Sequence, residues 1–519
     1  MFRNQSDVVI GKAKAREKAK RIPKSPSPSP SPSASPKSPS SASASGSSSM
    51  AYPIKEIDLL EYDPTTPENK LAISKLYHDN QGALVRSTMP TFSMFPTVDQ
   101  CAQGYFISTS PLWLRNFDLV DSLCSQTDTD EHLLACISAV GLASLSHQIR
   151  SPALMTKARK DYVNALQLTN ATLRSPTDAK KDSTLFSVLI LSVFEMVTGS
   201  NERSIGAWTE HVNGSAALVK IRGPDQFKTA AGQRMFHQVV SNLMLSCVQR
   251  TLPMPYHIIQ LRKEVPKFID QESIGWKLSA VIIDFTFFRA AVREVTLVGP
   301  KAIVEAGLEI DRRFNEVFSN TPDAWKYSTV YTDEYPDLIW NGNYHLYSDC
   351  WMAQLWNGMR TCRILLHETI RDQLLSASLA MTPIFPEGEI AAQTEHSVEI
   401  MLQLQADILA SVPQHTLATA NQSLSTLLEG SMGYFVLWPL YMAGVMDLTT
   451  EPIREWVINR LRSIGETVGI RQAVVLADFI KQRHYPEAWD TKPTPNITIP
   501  LRKGSLDTWM EATNGFGAE

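Results

Sequence analysis

The sequence predicts an all-α protein, a large multi-helix domain behind a disordered, basic and Ser/Pro-rich N-terminal arm. Three observations predict it. Apolar residues recur at helical spacing in segment after segment, capping residues and glycines punctuate those segments, and β-type alternation never lasts more than a few residues. A chain of 519 residues, 43% hydrophobic and 20% charged, is long enough for one large or two ordinary globular domains.

Residues 128–250 show the pattern best. Asp128 or Thr129 is placed to cap a helix in which Leu133, Cys136, Val140 and Ala143 recur at helical spacing. Ser151-Pro152 opens the next helix with a capping hydroxyl and a proline at the first helical position, where its missing N–H costs nothing. Met155, Ala158, Tyr162, Ala165 and Leu166 lie on one face, and Ser175-Pro176 ends the segment. A third helix, from Asp182-Ser183 to Gly199, is apolar almost all round and reads as the buried central helix. The fourth, from about Ser204 to Arg222, turns Ile205, Trp208, Val212 and Val219 inward. Lys220 and Arg222 suit the negative end of its dipole, Gly223 the left-handed cap and Pro224 the stop.

Beyond Pro253 and Pro255, residues 276–297, 302–318, 351–375, 391–412, 427–446, 451–462 and 470–483 read as further helices, and 320–337 as a polar, aromatic loop. Pro439 should kink the helix that contains it. Towards the N-terminus, 71–84 can form a first helix, whereas 89–110, richer in Pro, Ser, Thr and Gly, reads as a long connection. The expected organisation is a disordered arm at 1–50, a lead-in at 51–127 and a helical regulatory domain at 128–519, with a candidate subdomain break near 253–273.

Three strings carry a resemblance: TLFSVLILSVFEMVTG (184–199), WTEHVNGSAALVKIRG (208–223) and RMFHQVVSNLMLSC (234–247). Together they resemble the helical regulatory domain of the fungal binuclear zinc-cluster transcription regulators. RTCRILL (360–366) and WPLYMAG (438–444) are similar to later blocks of that domain, so the likeness runs from about residue 71 to 485. It implies a nuclear regulator of a metabolic or secondary-metabolite pathway, whose helices restrain or release activation in response to metabolites or partners. It also implies protein partners in the transcription machinery, homo- or heterodimers, and a small-molecule effector.

The family's DNA-reading module holds two zinc ions on six closely spaced cysteines. The six cysteines here are scattered, with no CxxC, and provide neither that cluster nor a disulfide framework. The string FRNQSDVVIGKAKA (2–15) looks like the segment that follows the cluster in this family. The expectation is therefore no cofactor, zinc being expected only with an upstream cluster, and no specific DNA recognition by this chain.

Lys12, Lys14, Arg16, Lys18, Lys20, Arg21 and Lys24 form a basic run that reads as a nuclear localisation signal or nucleic-acid arm, followed by Ser-Pro repeats unable to build a core. Such an arm binds DNA without sequence preference, at Kd of about 10⁻⁴–10⁻⁶ M. Specific sites are held at about 10⁻⁸–10⁻¹¹ M, so the arm alone selects no promoter. The net charge of −4 predicts no global attraction to nucleic acid, and no run reaches the ~18 apolar residues of a membrane span.

Catalytic signatures are missing: there is no GxGxxG, P-loop, GxSxG or HExxH. His147, His211 and His237 read as hydrogen-bonded or surface histidines. The carboxylates of Asp128, Asp130 and Glu131 would suit a magnesium-dependent isoprenoid cyclase, the remote enzymatic alternative. At a helix start they complement the dipole instead, and no second metal motif accompanies them. The second reading is a small-molecule sensor or coregulator without DNA contact. Trp276, Phe285, Phe288, Trp351, Trp356, Phe435 and Trp438 are the candidate lining of its pocket, although core packing explains the same residues.

Overall fold

Side-chain hydrogen bonds cap several helix starts, one of them at Ser151, the cap read from the sequence. Ser151 Oγ accepts from Leu154 N (3.3 Å) ahead of Pro152, Thr229 Oγ1 accepts from Gly232 N (3.0 Å), and Asp349 Oδ1 accepts from Met352 N (2.8 Å). The computed structural model describes residues 96–109, 130–265, 271–319, 321–416 and 433–482. The basic arm, the expected helix at 71–84, Asp128 and Thr129 lie outside these residues.

The all-α expectation is borne out: among the described residues, 14 helices of nine or more residues make up nearly all of the regular structure. The first seven are α1 (Val98–Thr109), α2 (Glu131–Gln148), α3 (Pro152–Thr172), α4 (Asp182–Thr198), α5 (Glu202–Arg222), α6 (Ala230–Arg250) and α7 (Tyr256–Glu264). They share one hydrophobic core around the buried helix α4, where Leu185, Phe186, Val188, Ile190 and Leu191 are all but inaccessible. Arg222 does more than complement the α5 dipole. Its guanidinium donates to the Lys180 carbonyl (2.9 Å) and pairs with Asp182, fastening the end of α5 to the start of α4.

A second core is built by α8 (Ile274–Arg293), α9 (Pro300–Ser319), α10 (Cys350–Ser378), α11 (Glu389–Ser411), α12 (Tyr434–Val445), α13 (Glu451–Ser463) and α14 (Gln472–Gln482). Helix α6 packs on α8, and α14 on α4 and α5, which joins the two cores. All described residues fall within the compact unit Leu59–Glu519.

Two local expectations are corrected. The stretch expected to be a connection at 89–110 contains helix α1. Its signal is a reciprocal capping box, in which Gln100 N donates to Thr97 Oγ1 (3.2 Å) and Thr97 N to Gln100 Oε1 (2.8 Å). Helix α1 then lies so close to α2 that any Cβ on Gly141 would collide with the Ala102 carbonyl. The expected loop at 320–337 contributes β1 (Ser328–Tyr331), paired antiparallel with β2 (Asn343–Leu346), with Thr329 opposite His345. Four-residue strands are too short to show a period of two in the sequence.

Candidate functional site

A cavity of about 740 Å³ opens between the two cores. Trp208 of α5 and Asn242, Leu245 and Val248 of α6 form one wall. Leu278 and Ile282 of α8, Trp351, Leu355 and Gly358 of α10, and Phe435 and Trp438 of α12 form the other. The volume and the mainly apolar, aromatic wall are those of a small-molecule site.

Of the seven aromatic residues read from the sequence, the structure brings Trp351, Phe435 and Trp438 to this cavity. It does not bring the other four. Phe285 and Phe288 are fully buried core residues, ring to ring at 6.4 Å, with Phe314 against Phe285. Trp356 donates to the Trp325 carbonyl (3.0 Å) and packs on Phe318. Trp276 is covered by the Arg262 guanidinium, 3.6 Å from its ring centroid, and meets the lining residue His237 edge-on at 6.4 Å. Periodicity could not separate these groups, because a residue facing a neighbouring helix and one facing a gap between helices share the same phase.

Residues missed by the sequence reading supply most of the polarity. Gln238 Nε2 donates to Asn242 Oδ1 (2.9 Å), and Gln414 holds Cys350 (3.8 Å), so both amides are tied to protein partners. Two buried polar atoms on the lining residues are not: Trp208 Nε1 and Thr361 Oγ1 meet no hydrogen-bond partner among the described residues. Pro439, also in the wall, lacks the N–H that would meet the carbonyl of Phe435 four residues earlier. Gly358 sits in the interior of α10, where glycine costs roughly 0.5–1 kcal/mol relative to alanine. A Cβ there would meet nothing within 4 Å. In the sequence, that mid-helix glycine and the in-helix proline are the signals that could have marked the wall.

The electrostatics keep the titratable groups of the lining largely uncharged. His237 is exposed to this space, yet burial of its surroundings and the nearby Arg262 charge hold its imidazole down to about 4, hence neutral. Burial pushes the Cys350 and Cys362 thiols up to about 11 and about 12, so neither is a thiolate. Asp349 is engaged as the N-cap of α10, and among the described residues Arg234 is the one permanent cation on the lining.

The expected histidines fall into place around this site. His147 Nε2 meets the Val197 carbonyl at 3.1 Å. His211 Nε2 lies 3.0 Å from Tyr162 Oη, which donates its own proton to Glu195, so the imidazole proton belongs on Nε2. In the Trp208-x-x-His211 pair, the indole thus lines the cavity while the imidazole completes a buried polar chain. Asp130 of the carboxylate cluster accepts from Ser183 Oγ (2.5 Å) and lies 3.5 Å from Lys181 Nζ, a structural role at the start of α2. Among the described residues no three His, Cys, Asp or Glu side chains converge as metal ligands, and no helix is long and apolar enough to cross a membrane.

Comparison with known proteins completes the site. Residues 111–248, which include α2 to α5 and most of α6, match the fungal specific transcription factor domain, in agreement with the resemblance read from the sequence. The chain is also similar to Transcription factor dbaG of Emericella nidulans, 22% identical over 360 residues that cover 66% of this chain and 80% of that protein. No solved structure matches significantly.

Proposed function

We propose that this chain is a transcription regulator of the fungal zinc-cluster type, acting through the helical domain described above. The observation that carries the reading is the domain match at 111–248, which falls on the helices that hold the three signature strings. Support comes from the similarity to a transcription factor over a longer stretch, which extends the likeness past the first core. The domain family is one of transcription factors, not of catalysts. Control of a metabolic or secondary-metabolite pathway, nuclear import through Lys12 to Lys24, and dimerisation with a partner that reads DNA belong to this proposal.

The test fuses the full chain to a heterologous DNA-binding domain in a fungal host and measures a reporter carrying that domain's site. A change in reporter output, absent for the DNA-binding domain alone, is the expected result. A silent reporter, with the fusion present in the nucleus, overturns the reading. Replacing the seven basic residues of the arm with alanine is expected to move a tagged chain out of the nucleus.

A further inference from the structure

We propose that the exposed apolar end of the second core, where the α10–α11 hairpin meets the turn between α8 and α9, is a docking surface for this chain's own segment 8–24. In that segment Val8-Val9-Ile10 runs into the seven basic residues of the arm. The contact does not rest on the regulator reading; its consequence for nuclear import does.

Exposure is the first observation. Helices α9 and α10 run antiparallel: Phe318 packs on Trp356, Asp311 pairs with Arg363, and a Cβ on Gly307 would meet Ile370 at 3.0 Å. That register sets the α8–α9 turn beside the last turns of α10. Val295 and Val298 of the turn are 71% and 60% exposed, and Leu375, Leu379 and Met381 of the hairpin are 63%, 79% and 102% exposed. These are five of the eleven large apolar side chains that stand exposed among the described residues, gathered at one end of one core. Apolar side chains scattered singly need no explanation, whereas a contiguous group marks a contact surface.

Charge is the second. No Lys or Arg occurs in the 82 residues between Arg371 and Arg454, although the chain has 49. Glu387, Glu389 and Glu395 of the hairpin are exposed and have no ion-pair partner among the described residues, and Glu399 lies 4.0 Å from His396. The cations at this end lie on the other side of the patch: Arg293, which donates to the Arg250 carbonyl (2.9 Å), and Lys301.

Apolar surface beside uncompensated carboxylates selects the occupant. A second copy related by a two-fold axis would set those carboxylates against each other, and an anionic membrane or nucleic acid would be repelled. A segment with bulky apolar residues next to a run of cations fits both features. This chain carries one, with Glu17 the only acid among Lys12 to Lys24. The 73 residues from Ser25 to Thr97 that separate it from α1 can span at most about 240 Å, so reach excludes no face of the domain. The covalent link also gives the segment a high effective concentration at its own hairpin. Seated there, the seven cations are withheld from nucleic acid and from import.

The test treats the full chain with a carbodiimide, which joins a Lys amine directly to a carboxylate, in an equal mixture of ¹⁵N-labelled and unlabelled chains. Mass spectrometry is expected to find lysines of 12–24 joined to Glu387, Glu389, Glu395 or Glu399 within one copy. Leu379→Ser combined with Met381→Ser removes apolar surface without changing charge. It should keep the wild-type melting temperature, lose these crosslinks and bind a mixed-sequence DNA duplex about tenfold more tightly at low salt. Replacing the seven basic residues with alanine should abolish that gain. Crosslinks only between copies, no crosslinks from the segment to the hairpin (the surface then serves another protein), or unchanged DNA affinity in the folded double variant overturns the proposal. Should the double variant not fold, the crosslinks of the wild-type chain decide alone. A silent tethered reporter with these crosslinks removes the regulator and leaves the contact, and an active reporter without them does the reverse.

Discussion

Two buried polar clusters, one in each core, handle charge in different ways. In the first, helices α2 to α6 bury a hydrogen-bonded chain, His211 to Tyr162 to Glu195, with the Tyr162 ring stacked on Phe194 at 4.0 Å. Burial holds both ends uncharged in tendency, lowering His211 to about 4 and raising Glu195. In the second, a full charge is kept inside. Arg360 is wholly buried, donates to Tyr347 Oη (2.7 Å) and Asn357 Oδ1 (3.0 Å), and lies 3.6 Å from Asp407. The rings of Tyr327, Trp356 and Tyr347 surround its guanidinium at 5.1, 5.3 and 5.9 Å. Nearby, Asp311 joins Arg363 (2.6 Å) to the buried His367 (3.1 Å), which holds the Asp311 carboxyl down to about 2. Neutral hydrogen-bonded chains tolerate small repacking; a buried ion does not, because removing either partner strands the other.

The largest expected effect tests that difference directly. Arg360→Ala should cost about 3–5 kcal/mol, because Asp407 loses its partner and the aromatic cage collapses on a void. Urea unfolding measures it. Arg360→Met paired with Asp407→Leu should recover most of the loss, and a loss as large in the double variant would show that shape rather than charge holds this core.

The next effects have opposite signs in the two cores. Burial, then the carboxylates of Asp447 and Asp372, outweigh Arg289 and Arg371 and raise Glu368 of α10 to about 7. Arg371 is engaged by Asp447 at 2.8 Å. The folded state therefore keeps a proton that the unfolded state releases from about pH 4.5 upward, and stability falls as pH rises from there to about 7. Glu368→Gln should gain about 3 kcal/mol at pH 8 and nothing at pH 4. His211 runs the other way. Its folded value lies below the unfolded one, so the unfolded state binds the extra proton between about 6.5 and 4, and stability is lost as pH falls through that window. His211→Phe should remove about 3 kcal/mol of this acid sensitivity. Thermal melts of both variants at pH 4, 6 and 8 check the pair, and equal pH slopes in wild type and variant would dissolve the contrast.

Smaller effects follow. Gly141→Val should cost about 1–3 kcal/mol by driving α1 off α2, seen as a lower melting temperature and faster amide exchange in 98–109. Lys228→Ala removes an ion pair with Asp225 in which both side chains are largely exposed, and the melting curve should not move.

Much of the first core was legible beforehand for a physical reason. Its helices announce themselves by local chemistry: Ser151-Pro152, Gly199 and Arg222-Gly223 act within one turn of their own position. The second core was legible as helices but not as a core, since Arg360, Asp407 and Tyr347 come together only through chain folding. Helix α1 was missed although the Thr97 and Gln100 pair was local, because the Pro, Ser and Gly around it outweighed a two-residue signal.

The amino-acid order by itself determined the class of fold, the cap at Ser151, the buried phase of most helices and the similarity of residues 111–248 to a transcription factor domain. Tertiary structure alone decided that Trp351, Phe435 and Trp438 reach the cavity while Phe285, Phe288, Trp276 and Trp356 do not. Helical period specifies which side of a helix leaves water. What that side meets, another helix or a space between helices, depends on crossing angles set by all the other side chains together.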